Sequence, residues 1–340
     1  MVQILFFAAN SILPIVLMLA LGYFLKRIGL MQQDFMAKAN SLFFRVFLPI
    51  LIFCNIYDYN GLGDINWGFI VYVFAARTVL FFLGLLIARL FVKQQTHRGV
   101  VAQCVHVSNF AIIGFALATT INGTAGLQLA AIVAAATAPY TNILQILSYT
   151  VFSPDPNHKN NFKTICHDVI HNPMFIGAML GMLILIIRSF IPTDETGAPV
   201  FTIAQAMPFL YTAVSDVSAA ASPLFLIVIG GMLEFTYNKE DLKDVALATS
   251  FRILFSPILG IAGAILCMHM GLIVCGSAEF AVLIAMFAAP AALASAIMAI
   301  ELGQDGHLAR QIIIWTHLLS IFSIFAYIVF CTSFGYLDAF

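Results

Sequence analysis

The segment LIAMFAAPAALASAIMAIELGQD at 283–305 contains the clearest indication of how this chain folds. It is long and apolar enough to cross a bilayer as a helix, yet Pro290 lies inside it. A proline within a helix removes one backbone donor and clashes with the carbonyl four residues earlier. We therefore predict a membrane helix that is broken near Pro290, with Ala291 and Ser295 beside the break.

A second stretch with helix-weakening residues occurs earlier, in VHVSNFAIIGFALATTING at 105–123, which contains Ser108, Asn109 and Gly114. Backbone groups that a broken helix frees at membrane depth are tolerated only where they line a cavity or meet protein. The N-terminal end of the second half-helix also carries a partial positive charge. The two stretches together favour a carboxylate site between two broken helices. A simple packing kink and an interhelical hydrogen bond from Asn109 remain the alternative.

The composition of the whole chain is that of an all-α integral membrane protein. Of its 340 residues 62% are hydrophobic and 9% charged, with a mean hydropathy of +1.00, whereas a soluble domain has roughly 25% charged residues. Apolar runs between short polar breaks predict about ten spans of the length that crosses a bilayer. We place them at 3–25, 36–57, 67–92, 99–119, 125–152, 168–191, 206–234, 244–270, 277–301 and 308–335.

Several classes of partner are not indicated by the sequence. The net charge is −1, which gives no reason to expect nucleic acid as a partner. The six cysteines are scattered without C-x-x-C spacing, so we expect no metal. The phosphate-binding motif G-x-x-x-x-G-K-[ST] is absent, and we expect no cofactor and no use of ATP.

The distribution of lysine and arginine predicts how the chain is oriented in an inner or plasma membrane. The loops after odd-numbered spans carry nearly all of the basic residues, whereas those after even-numbered spans carry only Arg188. Basic loops stay in the cytoplasm. We therefore expect a multi-pass protein with both termini on the outer side.

Landmarks in the first five spans recur in the last five in the same order. They are Pro14 with Gly22 and Pro173 with Gly181, Leu48-Pro49 and Ser222-Pro223, and Arg77 with Gly84 and Arg252 with Gly260. Because each set has an odd number of spans, the second copy is inverted, as in many secondary transporters. We predict repeats at 1–152 and 168–340, joined by a cytoplasmic linker at 153–167.

Ionisable groups inside the membrane are costly, so each is a functional hypothesis. Arg77 is predicted near mid-membrane, and Arg252 is its counterpart in the repeat. Either could bind a substrate carboxylate or pair with Asp216, although a structural or snorkelling role remains open. His106 could carry a coupling proton or be a hydrogen-bonded interior residue.

Two other classes of protein fit parts of the sequence. An anion channel would share the topology of a transporter. An intramembrane metalloprotease could use His167 and His171, whose i, i+4 spacing is that of H-E-x-x-H motifs, but the intervening acid is Asp168 and no third ligand is evident. We prefer a solvated loop for this stretch.

The chain resembles the auxin efflux carrier family, which includes bacterial organic-acid permeases related to plant PIN proteins. The resemblance extends over essentially the whole chain. It rests on LPIVLMLALGYFLKRIGL at 13–30, FLPILIF at 47–53, SNFAIIGFAL at 108–117, PYTN at 139–142, HNPMFIGAMLG at 171–181, SPLFLIVIGGML at 222–233 and FAAPAALASAIMAIELGQD at 287–305.

This resemblance implies ten helices in two inverted repeats, with the fourth and ninth broken and crossing at the substrate site. It further implies a dimerising scaffold near 3–57 and 168–234, and elevator-like transport helices near 67–152 and 244–335. Asn109, Asn142 and the backbone around Pro290 would contact the substrate. We thus expect a homodimeric secondary transporter, not an enzyme, in contact with membrane lipid. It would move a small organic anion such as a malate- or malonate-like carboxylate, either with H+ or Na+ as a coupling ion or as a uniporter.

Overall fold

The computed structural model of the chain describes residues 1–59, 61–153, 171–188, 190–191, 202–235 and 238–338. Over these residues the chain forms helices joined by short turns, and its extended pairing is limited to one isolated bridge. Seven of the described helices are long and apolar enough to cross a membrane, and two shorter apolar helices accompany them. The predicted all-α membrane class is confirmed at this level.

The main helices follow the predicted spans closely. They are α1 (Val2–Arg27), α2 (Gln33–Tyr57), α3 (Trp67–Phe91), α4 (Gln95–His106), α5 (Phe110–Val151), α6 (Pro173–Arg188), α7 (Pro208–Met232), α8 (Leu242–His269), α9 (Ser277–Phe287), α10 (Ala294–Glu301) and α11 (Gly306–Ser333). Four-residue and three-residue helical turns occur at Ile203–Ala206 and Leu62–Asp64. The predicted linker lies almost entirely outside the described residues, as does the predicted start of the sixth span.

Helix α5 reverses direction at Asn122 and Gly123, which have non-helical backbone angles. A Cβ atom on Gly126 would lie 2.4 Å from the carbonyl oxygen of Ala118. Residues eight apart along a straight helix would be separated by about 12 Å, so the chain folds back here. The first arm, 110–121, and the second arm, 124–151, therefore form a helical hairpin, close to the predicted boundary between the fourth and fifth spans.

Gly123→Ala is expected to lower the thermal stability of the purified protein. Gly123 has φ +57° and ψ −144°, a conformation that costs a residue with a Cβ about 1–3 kcal/mol. Gly63→Ala is the matched control, because a Cβ there has open space and no positive φ is required. Thermal unfolding in detergent checks the pair. Equal melting temperatures for the two variants would contradict the assigned turn.

Acidic and amide side chains fix the starts of several helices. Asn66 accepts a hydrogen bond from the amide of Phe69 at the start of α3. The Asp305 carboxylate accepts from the amides of His307 and Leu308 at the start of α11. Glu279 accepts from the amide of Gly276 at 2.9 Å. Such acceptors satisfy amides that have no partner inside the helix. Glu279 and Asp305 therefore act as helix N-terminal acids.

The helices pack in two groups that meet along α5, α1 and α11. In the first group α1 packs along α7, while α2 packs against α6 and α7. The approach of α1 and α7 is close enough that a Cβ on Gly22 would lie 1.8 Å from the carbonyl oxygen of Ile227. In the second group α3 packs on α4, α9 on α5 and α8, and α10 on α11. The interrupted helices all belong to the second group.

Candidate functional site

Two interruptions of the helical path meet inside the protein. One separates α4 from α5 and the other separates α9 from α10. Ser108 in the first pairs in antiparallel fashion with Ala291 in the second. The amide of Asn109 donates to the carbonyl of Pro290 at 2.8 Å. We call this pair of segments the crossing, and it contains the two residues at which breaks were predicted.

Neighbouring side chains hold the crossing in place. The Ser108 hydroxyl donates to the carbonyl of Met286 at 2.6 Å, at the end of α9. Thr316 of α11 accepts from the amide of Ala291 at 3.2 Å. A Cβ on Gly114 would lie 2.9 Å from the carbonyl oxygen of Ala285, so this glycine lets α5 approach α9. Gly114, a predicted substrate contact, therefore has a packing role here and is not among the residues that line the cavity described next.

A cavity of about 140 Å³ lies where the crossing faces α2, α5 and α6. It is smaller than the roughly 300–1,000 Å³ of pockets for drug-sized ligands. None of its described lining residues is acidic. They are Phe44, Arg77, Val107, Ser108, Asn109, Phe110, Ala111, Ile112, Ala134, Thr137, Ala138, Thr141, Asn142, Gln145, Met174, Ala292, Leu293 and Ala294. Because its volume is small, the cavity is suited to a small ligand.

The N-terminal ends of two helices face this cavity. Residues 110–112 belong to the first turn of α5, and residues 292–294 lead into α10. The first amides of a helix have no partner within the helix and carry about half a positive charge together. Two such ends in one cavity make its potential positive without any charged side chain.

Arg77 of α3 adds a full positive charge to the same cavity. Its side chain is only 4% exposed. The guanidinium donates from Nη1 to the Thr141 hydroxyl at 2.6 Å and from Nε to the Met286 sulfur at 3.3 Å. Among the described ion pairs none includes Arg77. A buried guanidinium without a carboxylate partner is costly, and an anionic ligand would offset that cost.

Amide side chains complete the polar lining. The Nδ2 atom of Asn109 is buried and has no hydrogen-bond partner among the described residues. Asn142 and Gln145 also line the cavity, from the second arm of α5. Leaving a buried donor unpaired costs about 1–3 kcal/mol. Asn109 is therefore placed to donate to a ligand.

Three other predicted residues lie away from the cavity. Ser295 is fully buried and accepts a hydrogen bond from Gln103 at 2.7 Å. His106 is buried, and its Nε2 lies 2.8 Å from the Ser148 hydroxyl. Asp216 is exposed on α7 and takes part in none of the described ion pairs. The structure does not place these side chains where they would touch a ligand in this cavity.

Arg252, Pro290 and Ala291 were also predicted site residues, and they contact or form the backbone of the crossing. The Arg252 side chain is fully buried and donates only to backbone carbonyls, among them Val105 at 3.2 Å. Pro290 and Ala291 form the crossing without lining the cavity. Of the proposed protease residues, His167 and Asp168 fall outside the described residues, and His171 precedes α6.

Sequence reasoning missed a row of polar residues on the second arm of α5. Thr137, Thr141 and Gln145 all line the cavity and are spaced four apart, which puts them on one face of the helix. This i, i+4, i+8 spacing within an apolar helix was the available signal. The Thr141 hydroxyl accepts the hydrogen bond from Arg77 and so orients the guanidinium.

Comparisons with known proteins relate the whole chain to membrane transport proteins. A sequence model described as membrane transport protein matches residues 7–328. One relative, an uncharacterized transporter of Methanothermobacter thermautotrophicus, is 23% identical over 332 residues. The alignment covers 93% of this chain and 96% of that protein.

Proposed function

Because the chain belongs to the membrane transport protein family, as its resemblance to auxin efflux carriers indicated, we propose that it is a secondary transporter of a small organic carboxylate. One observation carries the proposal. The cavity at the crossing combines two helix N-terminal ends, the guanidinium of Arg77 and the free Nδ2 of Asn109, with no acidic residue among its described lining. Arginine presents a planar fork that matches a carboxylate. Donors of this kind favour an anion over a cation or a neutral solute.

We propose an elevator-like alternating-access mechanism, in which α3 to α5 and α8 to α11 move against α1, α2, α6 and α7. The cavity supports this division because Phe44 of α2 and Met174 of α6 close it from the other group. A second cavity of about 540 Å³ is lined by Leu51, Cys54 and Asn55 of α2 and by residues of both arms of α5. Seven residues of helix separate Phe44 from Leu51, or about 10 Å. A shift of that order would carry the crossing towards the second cavity.

The proposed inverted repeat accounts for the symmetry of the site. The interruption between α4 and α5 and that between α9 and α10 fall in the fourth and ninth predicted spans. In such transporters the substrate binds near mid-membrane, where the two repeats meet. The proposal therefore assigns one half-helix end of the site to each repeat.

A binding screen of the purified protein tests the anion preference. We expect small carboxylates to raise its melting temperature, whereas the corresponding methyl esters and amines of the same carbon skeleton leave it unchanged. Stabilisation by esters or amines equal to that by carboxylates would contradict an anion site. The compounds with the largest shifts then define the substrate.

Asn109→Ala is expected to weaken carboxylate binding by about 10- to 150-fold. A hydrogen bond to a charged group contributes about 1.5–3 kcal/mol. Asn109 Nδ2 has no hydrogen-bond partner among the described residues, so the substitution breaks no bond of Nδ2 within the protein. The side chain makes no capping hydrogen bond at the start of α5, so the fold should be retained. Isothermal titration with the best carboxylate of the screen measures the change.

Asn55→Ala is the matched control for this variant. Asn55 is also a buried asparagine, but it lines the second cavity and donates to the Leu51 carbonyl of its own helix. Its removal should leave the dissociation constant within a few-fold of the wild-type value. Equal losses in both variants would contradict the assignment of Asn109 to the site.

A further inference from the structure

The C-terminal ends of α4 and α9 meet at the crossing. Their partial charge is negative, whereas that of the helix ends that face the cavity is positive. The last four carbonyls of a helix have no partner within the helix and carry about half a negative charge together. Here both ends are inside the protein, since Val105 and Met286 are 1% exposed. These carbonyls need donors that the surrounding apolar side chains do not provide.

Arg252 of α8 supplies those donors to both helices at once. Its Nη1 donates to the Val105 carbonyl of α4 at 3.2 Å. Its Nη2 donates to the Met286 carbonyl of α9 at 3.2 Å and to the Phe287 carbonyl. Ser256, one turn further along α8, adds a hydrogen bond to Val105 at 2.6 Å. One guanidinium thus joins the ends of two half-helices that are far apart in the sequence.

The positive charge of Arg252 matches the partial negative charges of the two helix ends that it contacts. Two helix ends of about −0.5 each sum to about −1, which one guanidinium neutralises. Among the described ion pairs none includes Arg252, so the carbonyls are its counter-charge. Arg77 differs, because it faces the cavity and donates to a hydroxyl and a sulfur. The two arginines therefore have separate electrostatic partners.

In transporters with broken helices, half-helix C-terminal ends and unwound carbonyls commonly coordinate the coupling Na+ or H+. We propose that Arg252 is a built-in cation at this position, which assembles the crossing and makes the transport cycle independent of Na+. The part of this inference that concerns Na+ and the transport cycle rests on the proposed function. Arg252 acts as a positioning residue, because it holds the backbone of the crossing and does not line the cavity.

Replacement of Na+ by N-methyl-D-glucamine tests the first consequence on the wild-type protein. We expect the melting temperature in detergent and the carboxylate uptake by proteoliposomes to stay the same. A rise of either quantity with Na+, but not with the same concentration of K+, would overturn the inference.

Arg252→Ala tests the assembly of the crossing without any substrate. Cys104 of α4 is fully buried one residue before Val105, so its reaction with a maleimide reports whether the crossing has loosened. We expect Cys104 to be labelled in Arg252→Ala. Millimolar guanidinium ion should protect it again. Peptide mapping distinguishes the labelling of Cys104 from that of the other cysteines. Arg89→Ala, which removes an exposed arginine of α3, should leave Cys104 protected.

Arg252→Lys keeps the inference testable if the alanine variant does not fold. A lysine retains the charge but not the fork, so we expect Cys104 to stay protected and uptake to remain within about tenfold of wild type. Equal loss in the lysine and alanine variants, or full protection of Cys104 in Arg252→Ala without guanidinium, would overturn the inference. The labelling needs no substrate, so a wild-type protein that takes up no carboxylate would overturn the proposed function alone.

Discussion

Arg77→Met is expected to raise the dissociation constant for the carboxylate substrate at least ~100-fold while leaving the empty protein at least as stable as wild type. Two hydrogen bonds from a guanidinium to a carboxylate contribute about 3 kcal/mol or more. Binding should fall because Arg77 is the only full positive charge among the described residues that line the cavity. Stability should not fall, because replacing a buried charge by an apolar side chain of similar size is often neutral or stabilising. Titration and thermal unfolding measure the two effects.

The opposite signs of these effects separate a binding role of Arg77 from a structural one. Arg77→Lys should bind with an intermediate constant, since lysine keeps the charge and loses the fork. Arg89→Met removes the same charge from an exposed position of the same helix and should change neither quantity. If Arg77→Met unfolded at a much lower temperature yet bound the carboxylate normally when folded, the assignment of Arg77 to the site would be wrong.

Ala292→Asp is expected to weaken carboxylate binding by about 150-fold, because it places an anion beside the proposed substrate position. Ala292 lines the cavity just before α10, and an acid near a helix N-terminus is locally stabilising. At an effective dielectric constant of about 20, two like charges ~5 Å apart repel by about 3 kcal/mol. That energy corresponds to an increase of about 150-fold in the dissociation constant.

Ala292→Asn is the control with nearly the same size and no charge. We expect this variant to bind within a few-fold of wild type, since the cavity would lose some volume but keep its positive potential. The difference between the two variants, measured by titration, isolates the electrostatic contribution. Equal losses would mean that space and not charge limits binding at this position.

The breaks in the helices could be predicted because local chemistry determines them. Pro290 cannot donate within a helix, and the turn in α5 falls at Asn122-Gly123, where glycine alone adopts the angles comfortably. The interruption at Ser108 and Asn109 occurs without a proline. Its backbone is held instead by pairing with the other interrupted segment. That pairing is a tertiary contact, which local sequence does not reveal.

The site was predicted only in part, and the reason differs from residue to residue. Arg77 was predicted because a charge in an apolar span needs an explanation. Ser108 and Asn109 were predicted as residues that weaken a helix, and Asn142 came only from the family resemblance. All four line the cavity. Thr137, Thr141 and Gln145 were missed because a threonine in a membrane helix can satisfy its own hydroxyl, as Thr137 does with the Val133 carbonyl. Arg252 was predicted as a charge within a span, but its burial and its carbonyl partners on two distant helices could be identified only from the fold.

Counterflow in proteoliposomes distinguishes a carrier of organic anions from a channel. Vesicles that contain the purified protein are loaded with an unlabelled carboxylate from the binding screen and diluted into a trace of the same compound with a radioactive label. A carrier with a saturable anion site accumulates the label transiently above its external concentration, and Arg77→Met vesicles should not. Label that only equilibrates, with a flux that does not saturate and does not depend on internal carboxylate, would contradict the carrier and indicate a channel.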